Sequence, residues 1–229
     1  IIDNKMINQY FDKLYIITMK KNIDRHEYIK KLFSQHKIIN YKFIYGIEGE
    51  KINTKSMIER GDITKKMIHM PNPVGTFLTH KDAWLDMVKN NYNQCVFFED
   101  DVYFLDEFTK NFKNFMDHVP QDWSLLQLGW LPPNYRNTKD IMLNKFVMKN
   151  WSSVGGAHFY ALNKNSVKIF IDNSKPIKKA IDGYLGDITN PWTKKEKNIY
   201  LYCYSPKKCF AIDCSHNNGN KMFFKSHGI

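Results

Sequence analysis

The sequence predicts an α/β sandwich, with a mostly parallel central sheet covered by helices on both faces. Apolar runs of strand length alternate with amphipathic helical segments in the order β-α-β-α-β-α-β. The chain has 229 residues, which suits one large domain, and no internal repeat or flexible linker divides it. We therefore expect a single domain over residues 1–229, with ligands bound at the carboxyl ends of the strands.

The elements follow from local patterns taken in chain order. Strands are predicted where β-branched and aromatic residues form short runs, and helices where apolar residues recur at helical spacing. Asp24 is expected to cap the first helix, and Leu85 and Val88 are expected on the buried face of the second. In order, we predict strand 13–19, a helix from 24, strand 41–45, a polar surface insertion at 51–74 with room for one short helix, helix 76–90, strand 94–98, helix 106–118, strand 123–128, a loop or hairpin at 131–150, strand 156–162 and helix 163–173.

The chain is basic, with 34 Lys and Arg against 23 Asp and Glu, a formal charge of +11. Only Arg25, Arg60 and Arg136 are arginine, whereas surfaces that read phosphates or bases usually use its planar fork. A lysine-rich composition explains the charge best, with attraction to an anionic substrate or surface as the alternative. Nucleic-acid binding is not expected.

Compartment and redox state stay open. No uncharged apolar run is long enough to span a bilayer. The expected compartment is the cytoplasm. Because the chain begins at Ile1 rather than Met, the alternative is the lumen of the secretory pathway, with an upstream signal removed. Cys203, Cys209 and Cys214 lack zinc-knuckle spacing and are expected to be buried thiols, unless Cys214 pairs with one of the other two in an oxidising compartment. The oligomeric state is not indicated.

Three consecutive carboxylates, Glu99, Asp100 and Asp101, directly follow a predicted apolar strand. Like charges held together cost free energy unless a cation or several donors compensate them. Oxygen ligands on one side of such a turn suit a hard divalent cation. The alternative is a solvated acidic turn that caps the next helix.

A second acidic site is Asp182, which lies among apolar residues in the segment 180–187. A carboxylate in such a setting could accept the proton of an attacking hydroxyl. The alternatives are that Asp182 caps a helix that begins at Gly183, and that Asp187 is an ordinary surface residue.

The order of these motifs resembles glycosyltransferase family 25, which includes lipopolysaccharide-type transferases and procollagen galactosyltransferases. The resemblance extends over roughly residues 13–216, with Thr18 standing where the family usually has Asn. The matching segments are Ile16-Ile17-Thr18-Met19 with Asp24-Arg25, Ile47-Glu48-Gly49, Gly75 through Thr79-His80 with Trp84, Phe98-Glu99-Asp100-Asp101-Val102, 123–129, Gly156-Ala157-His158-Phe159-Tyr160 and Ile181-Asp182-Gly183-Tyr184-Leu185.

The resemblance implies a GT-A type, Rossmann-like α/β/α fold and a metal-dependent, inverting transfer of galactose or glucose. The donor would be a UDP-sugar and the acceptor a hydroxyl of a glycan or of a collagen-like protein. Asp182 would be the base and Asp100 would orient the sugar. The acidic triplet would be the Asp-x-Asp equivalent that holds Mn²⁺, or Mg²⁺, with Asp101, Glu99 and the C-terminal His216 as metal ligands. The alternatives are a hydrogen bond to the ribose for Glu99 and an ordinary loop histidine for His216. The segment 200–229 would close the site.

The resemblance also implies the remaining contacts. Thr18 and Gly49 would line the base and ribose pocket, and Arg25 would neutralise phosphate charge. Trp130 and Tyr184 would stack on the acceptor or sugar, with packing in the core as the alternative for each. His80, Lys81 and Gly156 would approach the donor, with a buried structural hydrogen bond as the alternative for His80. His26, His36, His69 and His118 are expected at the surface. The rival functions are a metal-dependent nuclease or phosphotransferase, a basic binding module, and an inactive member of the fold.

Overall fold

The computed structural model describes residues 7–129, 140–150, 155–189, 199–204 and 209–213. Its helices are α1 (Ile23–Gln35), α2 (Thr54–Glu59), α3 (Pro71–Lys89), α4 (Asp106–His118), α5 (Lys164–Asp172) and α6 (Ile181–Thr189), with short 3-10 turns at Gly49–Lys51 and Lys65–Met67. Its strands are β1 (Lys13–Met19), β2 (Tyr41–Gly46), β3 (Gln94–Glu99), β4 (Val102–Phe104), β5 (Leu125–Gln127), β6 (Ile141–Met142), β7 (Val147–Asn150), β8 (Phe159–Asn163), β9 (Leu201–Tyr204) and β10 (Ala211–Asp213).

Eight strands form one sheet in the order β2-β1-β3-β8-β5-β9-β7-β6, and β10 pairs with β4 in a second, two-stranded sheet. The β1 strand pairs in parallel with both β2 and β3, and β5 pairs in parallel with β9. The β8 strand lies antiparallel between β3 and β5. The β7 strand likewise lies antiparallel between β9 and β6. The α/β class is thus confirmed, and the sheet is mixed because β8 and β7 run opposite to the other six strands.

The sheet separates two hydrophobic cores, because successive side chains of a strand point to opposite faces. On β1, Leu14 and Ile16 pack in one core, whereas Tyr15 and Ile17 pack in the other. The first core includes side chains from α1 and α4, and the second includes side chains from α3, α5 and α6. The layers are therefore α/β/α, as predicted.

Three local predictions need correction. Asn22, not Asp24, is the N-cap of α1. Asp24 lies in the first turn, where the helix dipole still stabilises a carboxylate. The α3 helix begins at Pro71 rather than at 76, because proline suits the first position of a helix. Its residues Leu85 and Val88 are exposed at 45% and 38%.

The segment predicted as a surface insertion contributes to the second core. It contains α2 and both Ile63 and Met67, which are buried. Ile63 forms a parallel bridge with Ile177, and the Thr64 N–H donates to the Ile177 carbonyl at 2.9 Å. Its apolar residues therefore attach it to the segment that leads into α6.

The sheet register brings the ends of three parallel strands together. Met19 pairs with Gly46, and Ile17 pairs with Glu99. The antiparallel β8 starts at the same edge, where the Glu99 N–H donates to the His158 carbonyl at 3.1 Å. The acidic triplet, the end of β1 and the segment before β8 consequently share one edge of the sheet.

Candidate active site

Three adjoining cavities lie along this edge of the sheet, with volumes of about 210, 410 and 570 Å³. Thr76 of α3 lines all three. The smallest, the acidic cavity, is lined by Thr18, Arg25 and the acidic triplet, among others. The 410 Å³ cavity, here the Asp182 cavity, shares Glu99 with it, and the 570 Å³ cavity, here the Gly49 cavity, shares Met19 with it. The cavities thus form one groove.

Asp100 is buried in the acidic cavity, with 4% of its surface exposed. Its Oδ2 accepts hydrogen bonds from Thr18 Oγ1 at 2.5 Å and from Asn22 Nδ2 at 2.9 Å. Its Oδ1 accepts from Arg25 Nη1 at 2.6 Å. Both oxygens accept from protein donors, so the predicted contact with a sugar would have to share a carboxylate that already accepts three hydrogen bonds. These hydrogen bonds join Asp100 to Arg25 and to the end of β1.

His26 supports the same network from α1, and the prediction that it lies at the surface is wrong. It is 7% exposed, and its Nε2 lies 3.1 Å from both Thr18 Oγ1 and the Met19 carbonyl oxygen. Its ring packs against Phe43 and Tyr45 of β2. His36, also predicted at the surface, packs against Phe104 and Phe108, and burial lowers its pKa.

Asp101 and Glu99 are the remaining carboxylates of the acidic cavity. Asp101 is 6% exposed, and its Oδ2 accepts from Arg25 Nη1 at 3.3 Å. Within the described ranges, no group of three or more His, Cys, Asp or Glu side chains is arranged to hold a metal ion. The carboxylates of Glu99 and Asp101, which line one cavity, still suit Mn²⁺ or Mg²⁺ as ligands. Such ions complete their coordination with phosphate oxygens and water. The predicted third ligand, His216, lies outside the described residues.

His80 approaches Glu99 from α3. Its side chain is fully buried, its Nε2 lies 3.4 Å from Glu99 Oε1, and its Nδ1 lies 2.9 Å from the Tyr160 hydroxyl. The structural alternative for His80 is therefore correct: it contacts the acidic triplet rather than open groove. Lys81, its neighbour, is half-buried and is not among the residues that line the three cavities.

Asp182 and Gly156 lie in the Asp182 cavity together with Glu99. The α6 helix begins at Ile181, so Asp182 occupies its first turn and does not cap a helix that starts at Gly183. A carboxylate in the first turn is stabilised by the helix dipole. Gly156 has a φ of +82°, a backbone conformation that favours glycine. Asp187, further along α6, forms an ion pair with Lys179 at 2.8 Å.

Gly49 lies in the Gly49 cavity and contacts the start of α3 so closely that no side chain fits. A Cβ there would lie 1.9 Å from Asn72 Oδ1. Lys21 and Glu48 line the same cavity and form an ion pair at 3.3 Å. A hydrogen bond with Glu50, and others from Lys21 and Lys51, lower the pKa of Glu48. This cavity therefore combines apolar walls with fixed charges.

One predicted acceptor residue, Tyr184, is not among the residues that line the groove. Tyr184 packs its ring against Phe77, Trp84 and Phe170, and its hydroxyl donates to the Phe170 carbonyl. It is a core residue because α6 turns it toward α3. Trp130 lies outside the described residues, as does Cys214, whereas Cys95 and Cys203 are buried free thiols.

The sequence patterns missed Asn22, Asn72, Thr76 and His26 as groove or supporting residues. His26 could have been found, because it precedes the buried Ile29 and Phe33 by three and seven residues on α1. Thr76 likewise lies between Pro73 and Thr79, which also line the groove, at helical spacing. Asn22 carries no comparable signal, because its contact with Asp100 joins segments 78 residues apart.

The fold and site together define a class: a Rossmann-like α/β protein with a carboxylate-lined groove at the carboxyl ends of parallel strands. The chain belongs to glycosyltransferase family 25 (LPS biosynthesis protein), which matches residues 11–185. The predicted family resemblance is thus confirmed.

Similar proteins include human procollagen galactosyltransferase 2, 26% identical over 132 residues, which are 52% of this chain and 21% of that protein. The bovine protein named probable inactive glycosyltransferase 25 family member 3 is 27% identical over 131 residues, 52% of this chain and 22% of its own length. The matches thus span about a fifth of these relatives. A solved glycosyltransferase involved in glycosylation of the major capsid of PBCV-1 aligns over 95% of this chain and 99% of its own, with 10% identity and a TM-score of 0.48.

Proposed function

We propose that this chain transfers a hexose from a UDP-sugar to a hydroxyl acceptor with inversion at the anomeric carbon. The observation that carries the proposal is that Glu99 and Asp182 line one cavity of about 410 Å³, next to the acidic cavity. A base and a charged donor site are thereby adjacent. Family 25 membership supports a glycosyltransferase, and similarity to procollagen galactosyltransferase 2 favours galactose and a collagen-like acceptor.

The donor would lie along the groove with its nucleotide in the Gly49 cavity. Gly49 lines this cavity, and Met19 joins it to the acidic cavity. Arg25 lies there with its guanidinium on Asp100 and Asp101, and 37% of its side chain is exposed. A cation held in this way can bind a diphosphate oxygen without losing its anchor.

The divalent cation of the proposal would be held by Asp101 and Glu99, with His216 as a further ligand. When bound, it supplies Lewis-acid stabilisation of the departing diphosphate. Asp100 would keep Arg25 in place beside it, because three donors already occupy its oxygens. This revises the role expected for Asp100 from sugar contact to positioning.

Asp182 would act as the general base. As the acceptor oxygen bonds to the anomeric carbon, the acceptor proton passes to an Asp182 carboxylate oxygen and the bond from sugar to diphosphate breaks. Asp182 lines the same cavity as Glu99, which supports a base next to the proposed donor site. Gly156 and Ala157 complete the wall of this cavity without bulky side chains.

A panel of nucleotide sugars with Mn²⁺ tests the proposal by the UDP released through slow hydrolysis. We expect one UDP-hexose to be turned over, and Asp101→Ala to abolish turnover and weaken UDP binding in the presence of Mn²⁺. Lys113→Ala, on the exposed side of α4, is the control. Cleavage of nucleic acid instead would favour a nuclease. Binding of UDP without turnover of any nucleotide sugar would favour an inactive member of the family, as the bovine relative is named.

A further inference from the structure

Three residues from two segments of the family resemblance, Trp84, His80 and Tyr160, meet beside Glu99 and are not among the residues that line the groove. Trp84 and His80 belong to α3, and Tyr160 belongs to β8. Trp84 Nε1 donates to the Tyr160 hydroxyl at 3.0 Å, and His80 Nδ1 lies 2.9 Å from the same hydroxyl. All three side chains are completely buried. They form one hydrogen-bonded chain that ends at Glu99 Oε1.

The chemistry of the donors indicates which group donates and which accepts in this series of hydrogen bonds. The indole N–H of Trp84 can only donate, so the Tyr160 oxygen accepts it. Burial raises the pKa of Tyr160 well above its usual value, although the bond from Trp84 lowers it, so the phenol keeps its proton. The phenol then donates to His80 Nδ1. A neutral imidazole with Nδ1 as acceptor carries its hydrogen on Nε2, which faces Glu99.

Ring stacking holds the hydrogen-bonded side chains in place. The rings of Tyr15, Phe97, Tyr160 and His80 are stacked successively, with centroids 5.5, 5.0 and 5.6 Å apart. A tight stack leaves no room for the imidazole to turn over and exchange its nitrogens. The orientation of His80 is therefore set by its neighbours rather than by solvent.

We propose that Tyr160 is a positioning residue, which holds His80 as the Nε2–H tautomer and so orients Glu99 between the acidic cavity and the Asp182 cavity. The catalytic part of this inference rests on the proposed function. Glu99 lines both cavities and its side chain is 26% exposed, so one hydrogen bond from a rigid partner decides which way its carboxylate points. Residues of two family motifs thereby orient one carboxylate of a third.

Long-range ¹H–¹⁵N correlation spectra of the full chain with ¹⁵N-labelled histidine test the tautomer. We expect the His80 imidazole to be Nε2–H in the wild type, and Tyr160→Phe to shift it toward Nδ1–H or a mixture. Tyr15→Phe is the matched control: it removes a buried hydroxyl that donates to Asp86 at 2.8 Å from the other end of the same stack. It should leave the His80 spectrum unchanged.

The functional arm measures UDP-sugar turnover of the same variants. Loss of one orienting hydrogen bond should lower the kcat of Tyr160→Phe about ten-fold, with UDP affinity retained. Tyr15→Phe should keep its kcat. A wild-type Nδ1–H tautomer, an unchanged spectrum in Tyr160→Phe, or a shifted spectrum with unchanged kcat would each overturn the inference. Absence of turnover in the wild type would overturn the proposed function, while the spectra would still decide the state of His80.

Discussion

Replacement of Asp100 by Asn probes the network that organises the groove. Asp100 is 4% exposed and accepts from Thr18 at 2.5 Å, from Asn22 at 2.9 Å and from Arg25 at 2.6 Å. The amide of Asn has nearly the same shape, but it offers one acceptor oxygen and one donor nitrogen. Whichever way it turns, its NH₂ group faces a donor from Arg25 or from the pair Thr18 and Asn22.

The cost follows from these contacts. One hydrogen bond to a charged group contributes about 1.5–3 kcal/mol. The guanidinium of Arg25 is partly exposed and can turn to water, so we expect Asp100→Asn to lower the free energy of unfolding by about 2–3 kcal/mol. For a domain of this size, that corresponds to a fall in Tm of about 5–10 °C.

Thermal unfolding followed by circular dichroism measures this change. Asp106→Asn is the control, because Asp106 is a carboxylate whose side chain is 88% exposed and whose ion pair with Lys110 is at the surface. Its removal should leave Tm essentially unchanged. A fall in Tm below about 2 °C for Asp100→Asn would refute the reasoning, because it would mean that the buried donors do not stabilise the carboxylate.

Three further outcomes follow from single positions. Gly49→Ala places a Cβ 1.9 Å from Asn72 Oδ1, so UDP affinity measured by titration calorimetry should fall; unchanged affinity would exclude the Gly49 cavity as the nucleotide site. Burial raises the pKa of Tyr15 above its usual 10.0, so its contribution to the free energy of unfolding should be complete below pH 10 and be lost as the pH rises further. The free energy of unfolding should therefore fall less steeply above pH 10 in Tyr15→Phe, and identical slopes in alkaline denaturation would contradict this. Asn163→Ala removes a capping box from α5 and should cost about 1 kcal/mol in chemical denaturation, whereas no loss would make the cap dispensable.

Much of the site edge could be predicted because it is encoded in short segments. The β-branched run of β1 and the apolar run of β3 each give a strand, and the acidic triplet follows β3 without a gap. Since β1 and β3 are parallel, Thr18 and the triplet necessarily meet at one edge. The family resemblance added the role of Asp182, whose place in the same groove agrees with it.

The rest depends on contacts that local patterns do not carry. Of the two alternatives for Tyr184, the structure shows core packing, because Tyr184 shares the apolar face of α6 with Ile181 and Ile188. The reversal of β8 could not be predicted, because an apolar run has the same appearance in either direction. His80 needed the tertiary structure, since its partners Tyr160 and Glu99 come from β8 and β3.

The central claim, that Asp182 is the base of a sugar transfer in this groove, is tested most directly by comparing Asp182→Asn with Asp187→Asn. Asp187 lies on the same helix and pairs with Lys179, so its loss tests α6 without touching the groove. With the UDP-hexose that the panel identifies, Asp182→Asn should keep UDP affinity and lose transfer by about 10²–10⁴-fold. Asp187→Asn should retain both. Equal loss of UDP binding and transfer in Asp182→Asn, or full transfer without the carboxylate, would contradict the account.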